Sequence, residues 1–557
     1  MLMRPTNSRW HLIVLVCLTL AMILPGLAAL PVIDRDEARF AQASVQMADT
    51  NDLLNIRFQD EARNKKPAAA YWAQTAMIKV FAKDNERRIW AQRLPSLFAA
   101  LLAIIALYWG GSRMIGRDAA FIAAALLAVS AIFVFEGHIA KTDAMLCAST
   151  TVMLACLGRL RASSQKLSPQ AREVWIFWIV LGLSIMIKGP IGPVIAATCL
   201  GSLLLWEKSF SWARPLLNWP AILLFVLTWL PWAIAMYLVT DGAFFAESLG
   251  NDFGSKVTSG QEGHGAPPGV QTLMIWLALW PANLFLLPAL IFAVMTAKSR
   301  PYSRLSRAMR LSICWALPFW IFIEIMPTKL PHYGLPIFPA LCLMMGASVM
   351  AMIRNPRFAK ARIIGGLLFF VSSAVLIGAV IYIQLENGEA NKTILTLIFA
   401  AGAGMAAVAA LAALWGNKIR AAFAAVLLTA LVFFTGTYRV ILPNIPQFQT
   451  SERMVAALKL FAPDIQSGQI HSPHYPEPSL VYHFGQDIDV TERPIDISDG
   501  SVVILNSRRT DAEEIRQNLS RDARTRGLCL QSSAPTAGFN YSKGTPLSLV
   551  ILREAPC

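Results

Sequence analysis

Residues 31–90 separate the first two apolar runs of the chain and carry a high density of charge. Asp34, Arg35, Asp36, Glu37 and Arg39 open the segment, and Arg57, Arg63, Lys65, Lys66, Pro67, Tyr71 and Trp72 follow. Charge beside lipid is costly and tends to mark functional sites. Carboxylates in this setting can take a proton from a hydroxyl or orient it. Lys and Arg can clamp a group that departs with negative charge. A bland reading stands beside this one: Asp36 and Glu37 also suit the first turn of a helix, whatever their chemistry.

Further charged sets recur between later apolar runs. One is Glu136-Gly137-His138-Ile139-Ala140-Lys141-Thr142-Asp143, and another is Lys188-Gly189-Pro190. Residues 241–269 hold Glu247, Asn251, Asp252, Lys256, Glu262 and His264, and the last set is Pro327-Thr328-Lys329-Leu330-Pro331-His332-Tyr333. Taken singly, each has a structural explanation. Lysines at span ends snorkel to headgroups. Asp143 or Thr142 can cap a helix, and His264 between glycines suits a solvated loop. Their joint occurrence is what points to a site.

The elements that must position these residues are membrane helices. Hydrophobic residues make up 55% of the chain and charged residues 15%, against about 25% charged in soluble domains; mean hydropathy is +0.50. Thirteen apolar runs approach the length of about 17–25 residues that crosses a bilayer: 10–30, 91–112, 118–135, 142–161, 173–189, 191–206, 217–239, 270–297, 309–326, 332–353, 361–384, 394–415 and 419–441. The fifth and sixth share the break Lys188-Gly189-Pro190 and also read as one interrupted helix. The first follows Arg4 and Arg9 and, at about 20 residues, is longer than the 7–15 of a signal-peptide core, so it reads as an uncleaved anchor.

Loop charge sets the expected orientation. With a cytoplasmic N-terminus, the cytoplasmic segments hold twenty-one Lys and Arg, and the opposite short loops hold five, Lys141, Lys188, Lys256, Lys329 and Lys392. The net charge of +15 is thereby explained by topology, and nucleic-acid binding is a poor account of it. All the acid- and histidine-bearing sets above then fall on the outer side. Residues 442–557 turn polar and read as a small outer α/β domain, with strands at Leu480-Val481-Tyr482 and Val502-Val503-Ile504-Leu505 and a helix over 510–526. Six of the eight cysteines lie in spans, where they pack. Cys529 and Cys557 lie in the outer domain; a disulfide and two free thiols both remain open. No P-loop and no Rossmann fingerprint occurs, so direct use of a cytoplasmic nucleotide is not indicated.

Asp36-Glu37-Ala38-Arg39-Phe40, Met47, Lys66-Pro67, Tyr71-Trp72, Lys141-Thr142-Asp143, Lys188-Gly189-Pro190, Pro231-Trp232, Gly242-Ala243-Phe244-Phe245, Gly263-His264-Gly265 and Thr328-Lys329-Leu330-Pro331-His332-Tyr333 occur in that order. Together they resemble the GT-C membrane glycosyltransferases, and within them the aminoarabinose transferase (ArnT-like) and protein mannosyltransferase-like group. The resemblance covers most of the first 350 residues, and Pro476-Glu477-Pro478-Ser479-Leu480-Val481 is similar to the tail of bacterial members. It implies Asp36 as the catalytic or acceptor-orienting carboxylate and Asp143 as a second acid. It implies Lys66, Lys256 and Tyr333, with Arg57 and Lys329, as ligands of a lipid phosphate. Glu37, Arg39, Asp252, His264 and His332 complete the candidates. One departure stands out: members often have Glu-Lys-Pro-Pro where this chain has Lys65-Lys66-Pro67-Ala68.

The expectation is therefore an α-helical polytopic membrane protein of about 13 spans, GT-C in type (residues 1–441, with outer loop 31–90), followed by a C-terminal soluble α/β domain (442–557). It would be a monomeric inner-membrane enzyme with a periplasmic tail. It would move a sugar, with inversion, from a polyprenyl-phosphate donor to lipid A or another glycolipid. No cofactor is expected; Glu262 and His264 are too few ligands to call for a divalent metal. Two alternatives remain. A protein O-mannosyltransferase-like enzyme would need a peptide groove. A transporter or flippase would need charge at span centres and repeated halves, and Glu324 is the nearest approach to such a charge.

Overall fold

The computed structural model describes residues 8–83, 86–162, 171–255, 265–299, 303–491, 497, 500–540 and 544–557, without the side chains of 252 and 253. Helices α1 (Ser8–Leu27), α2 (Asp36–Thr50), α3 (Ala69–Phe81), α4 (Ile89–Met114), α5 (Arg117–Ala128), α6 (Ala131–Gly137), α7 (Asp143–Ala162), α8 (Arg172–Lys188), α9 (Ile191–Glu207) and α10 (Trp219–Thr240) come first. After them come α11 (Val270–Ala278), α12 (Leu286–Lys298), α13 (Arg304–Ile325), α14 (Phe338–Arg354), α15 (Ala359–Asn387), α16 (Thr393–Trp415) and α17 (Ile419–Thr435).

Among the described residues, nine helices are long and apolar enough to cross a membrane, or eleven if two bent pairs each count as one span. The protein is thus a multi-pass membrane protein. The bent pairs are α5 with α6, at 65°, and α11 with Ala282–Lys298, at 108°. Two of the thirteen expected spans, α8 and α9, are helices of 17 residues. At 1.5 Å per residue each reaches about 25 Å, short of a hydrocarbon core of about 30 Å. They form a hairpin and not one interrupted helix. A Cβ on Gly192 would lie 2.0 Å from Ser184 Oγ, whereas eight residues of continuous helix would separate these positions by about 12 Å.

α7 lies at the centre of the bundle, with most of its length buried. Gly110 lets α4 close on it, since a Cβ there would fall 2.5 Å from that of Ala155. Small residues permit such approaches between membrane helices, where packing replaces the hydrophobic effect.

The first loop folds into a compact cap made of α2, α3 and a two-stranded ribbon, β1 (Arg57–Phe58) with β2 (Glu61–Ala62). One face of α2, with Phe40, Ala43 and Met47, packs on Tyr71 and on Met186, Trp232 and Met236 of the membrane helices. Its other face, with Ala38, Ala41 and Val45, packs on Ile78 and on Tyr482 of the C-terminal region. Both faces being apolar at helical spacing, α2 is held between two bodies.

The C-terminal region is a mixed sheet. Its order is β3 (Ile470–His471), β4 (Val502–Asn506), β7 (Thr545–Pro556), β5 (Leu528–Ser532), with β6 (Thr536–Asn540) also paired to β7. Among the described strands, β3 and β4 pair in parallel and the others antiparallel. Helices α18 (Thr450–Phe461), α19 (Pro478–Phe484) and α20 (Ala512–Thr525) complete it. The expected strand at Leu480-Val481-Tyr482 is instead the middle of α19. Pro478 sits in its first turn, where proline suits a helix, and a three-residue apolar run has no period to distinguish strand from helix. Cys529 and Cys557 are joined by a disulfide across β5 and the end of β7. Of the six free cysteines, Cys17 is exposed and the other five are buried.

Candidate active site

Arg93, fully buried in α4, organises the entry to the site. It donates to Leu27 O, Leu30 O and Pro31 O at the end of α1, and makes a two-pronged pair with Glu37 at 2.8 and 2.9 Å. Glu37 also accepts from Ile33 N at 2.8 Å and Ala140 N at 2.9 Å. The Glu37 carboxylate is therefore fully engaged in joining α1, α2, α4 and the α6–α7 turn. The site candidate Glu37 is a structural tie, and its capacity is spent on Arg93 and two backbone amides.

One residue earlier, Asp36 faces a cavity of about 350 Å³. Asp36 is exposed to it. Burial pushes its carboxyl up, but Lys141, Arg63, His332 and Lys66 outweigh that and hold it below the usual carboxylate range. The preceding Arg35 adopts φ 69°, ψ −97°, a strained arrangement for a side-chain-bearing residue that costs about 1–3 kcal/mol and clusters at ligand clamps. It turns the chain sharply, so that Asp34, Arg35 and Asp36 all reach the cavity wall.

The opposite wall comes from the start of α7 and its neighbours. Asp143 Oδ1 lies 2.5 Å from Lys188 Nζ, and its Oδ2 lies 3.6 Å from Lys141 Nζ. Behind them, Glu136 reaches Lys141 at 3.1 Å. His332 sits between the two carboxylates, 3.9 Å from Glu136 and 4.0 Å from Asp143, and meets Tyr333 edge-on. Lys188 lies 6.0 Å over the Tyr333 ring. Burial pulls the Lys141 ammonium down, but Glu136, Asp143 and Asp36 outweigh it and hold it well above the ordinary lysine value. Arg63 donates to Tyr71 OH at 3.0 Å and lies over the Phe40 ring. Phe319, Phe322, Ile323 and Met326 of α13 and the following turn make an apolar side. The cavity thus has one face for charge and one for hydrocarbon.

The C-terminal region closes the rear of this wall. Ser479 N donates to Asp34 Oδ1 at 2.9 Å, and Gln59 Nε2 donates to Gln486 O and Ile488 O at 2.8 and 2.7 Å. Burial, helped by Glu477, raises the Asp34 carboxyl to about 7 against the pull of Ser479 and Arg35.

Residues 35–241 match the family model described as dolichyl-phosphate-mannose-protein mannosyltransferase. An undecaprenyl phosphate-alpha-4-amino-4-deoxy-L-arabinose arabinosyl transferase 2 of Proteus mirabilis is 28% identical over 64% of this chain and 62% of its own. The corresponding transferase of an Enterobacter species is 23% identical over the same shares. The chain spans about three fifths of the length of these curated relatives. The crystal structure of ArnT from Cupriavidus metallidurans bound to undecaprenyl phosphate superposes with a TM-score of 0.72, covering 98% of both chains at 14% identity.

This is the GT-C fold, in its ArnT-like form.

Within that fold, the structure brings Asp36, Arg39, Lys66, Asp143, His332 and Tyr333 to one cavity. Two candidates lie elsewhere. The Lys329 ammonium donates to Ile323 O, Glu324 O and Met326 O. It closes the C-terminus of α13, where a cation meets the carbonyl end of the helix dipole, and does not line the cavity. Arg57 is exposed on β1, away from the cavity wall, and its charge acts on Asp52. Lys256, Glu262 and His264 lie outside the described residues, and so does the Asp252 side chain. Lys141, Lys188 and Glu136 stand out in sequence as charges at span ends, and Arg63 as one of several in the first loop, but nothing local assigns them a role. Arg93 was missed; an arginine one turn inside an apolar run was the available signal. Among the described residues, no group of three or more His, Cys, Asp and Glu is placed to hold a metal.

Proposed function

We propose that the protein is a glycosyltransferase of the bacterial inner membrane. It moves a sugar from a polyprenyl-phosphate donor to a glycolipid of the lipid A kind, with inversion at the sugar. The observation that carries this reading is Asp36, ionised and open to a cavity that is cationic on one side and apolar on the other. The apolar side suits the first isoprene units of a donor. Lys66, Lys141, Lys188 and Tyr333 suit its phosphate. The acceptor oxygen attacks C1 of the sugar from the face opposite the phosphate. The C1–O bond breaks, and the polyprenyl phosphate leaves with the bonding pair, its charge met by these cations. Asp36 takes the proton of a hydroxyl acceptor; for a phosphate acceptor, already anionic, it orients. The cations at the phosphate provide the charge compensation that a metal would otherwise supply. The relatives named above support the reading by the donor in their names. The bias of loop Lys and Arg supports a cytoplasmic N-terminus and a periplasmic C-terminal region.

The test is mass spectrometry of lipid A and total glycolipids from wild-type, deletion and Asp36→Asn strains. A sugar present in the first and absent from the other two is expected, with transfer reduced by about 10²–10⁴-fold. Intact transfer in Asp36→Asn at normal protein level would sink the reading. An unchanged glycolipid profile with altered glycoproteins would instead point to a protein acceptor, as in the name of the matched family model.

A further inference from the structure

The charge on the cavity wall exceeds what a donor phosphate requires. Seven Lys and Arg side chains line it against four carboxylates, and the carboxylates are largely committed. Glu37 is consumed by Arg93 and two amides. Asp143 is paired with Lys188 and Lys141. Asp34 accepts from Ser479 and is pushed toward its neutral form by burial and Glu477. Asp36 alone stays open, and the acceptor needs it. Among the described residues of this wall, no carboxylate is left to hold a positively charged amino group on a sugar.

The cations show the opposite pattern. The buried Arg35 Nε has no hydrogen-bond partner, and no ion pair engages the Lys65 ammonium among the described residues. The Lys65 backbone is tied to the cap's neighbour, its carbonyl accepting from Ser248 Oγ at 3.4 Å. Arg35 has a positive φ with ψ −97°, a conformation kept where the surroundings or a ligand demand it. With cations in surplus around the cavity, the Arg35 Nε unpartnered and the Lys65 ammonium in no ion pair among the described residues, the wall has capacity for an anion beyond the donor phosphate.

We propose that the sugar transferred by this protein is an acid, of the hexuronate class, whose carboxylate is held by Arg35 and Lys65. This rests on the transferase reading above and narrows its donor. It sets the chain apart from the two relatives, whose names specify an amino sugar.

The test measures binding to the full chain in lipid nanodiscs by displacement of labelled undecaprenyl phosphate. The probes are undecaprenyl phosphate and its hexuronate, neutral hexose and 4-amino pentose conjugates. The hexuronate is expected to bind about tenfold more tightly than the hexose, the scale of one charge-assisted hydrogen bond, and the amino sugar most weakly. Lys65→Gln and Arg35→Gln should each erase the hexuronate-to-hexose ratio, and Lys65→Glu should invert the order toward the amino sugar. Equal or tighter binding of the hexose or amino sugar by the wild type overturns the inference while leaving a polyprenyl-phosphate enzyme in place. A wild type that binds no undecaprenyl phosphate at all overturns the transferase reading and this inference with it.

Discussion

The two ends of α7 make an instructive pair. Both carry buried charge. At the C-terminal end, Arg159 pairs with Glu173 at 3.1 Å and stacks on Trp109, and Arg161 pairs with Glu207 and stacks on Trp212. Each guanidinium has a carboxylate partner and its own aromatic face, Glu173 being approached also by the exposed Arg172 at 3.8 Å, and the crevice beside Arg161 has no room for a solvent molecule. At the N-terminal end, Asp143 is shared by Lys188 and Lys141, His332 lies between two acids, and the cluster borders an open cavity. Burial of charge alone does not tell a site from a strut. Close pairing and aromatic stacking without free volume mark the strut. Unequal charge around free volume marks the site, because the imbalance is settled only when a ligand enters.

That contrast can be broken most directly at the open end. Lys188→Met should lower transfer by about 10²–10³-fold, the cost of one electrostatic contact to a leaving group. Single-turnover rates per folded enzyme are the measurement, and a rate within twofold of wild type would remove Lys188 from the site. At the closed end, Arg161→Ala should act on stability and not on rate. Removing one member of a buried pair costs about 3 kcal/mol at the low end of the usual range, with the partly exposed Glu207 favouring that end. Thermal unfolding in detergent reports the loss, while the rate per folded enzyme stays at the wild-type level. Equal rate losses at both ends would dissolve the distinction.

The smallest effect sharpens the boundary between the cap and the C-terminal region. Asp34 has its folded pKa raised to about 7 by burial and Glu477, against about 3.9 in an unfolded chain. The folded state therefore holds the extra proton between these values. Its stabilising effect is full below about 4 and is lost as pH rises through about 7. Thermal midpoints should show this decline over that window, and Asp34→Asn should flatten it. A slope unaltered in the variant would assign the decline to another group.

The sequence by itself determined the membrane class, the apolar helical segments and the helix near 510–526, while the cap helix α3 and the helices α18 and α19 were not read from it. Apolar runs long enough to cross a bilayer have few other uses, and loop charge follows translocation and not packing. The resemblance to GT-C transferases pointed to Asp36, Asp143, Lys66 and Tyr333 together, and these line one cavity. Tertiary structure alone decided between neighbours of identical type. Asp36 and Glu37 are adjacent acids in one helical turn, yet Glu37 is spent because Arg93, 56 residues away in sequence, closes on it. Lys188 and Lys329 both stand at span ends, yet one meets Asp143 and the other the carbonyls ending its own helix. The fate of the cysteine pair, and of 480–482 as helix, was likewise settled by packing. A side chain's type is local, whereas its partner is set by the fold, and in a low-dielectric interior the partner decides whether a charge holds the structure together or stays open to a ligand.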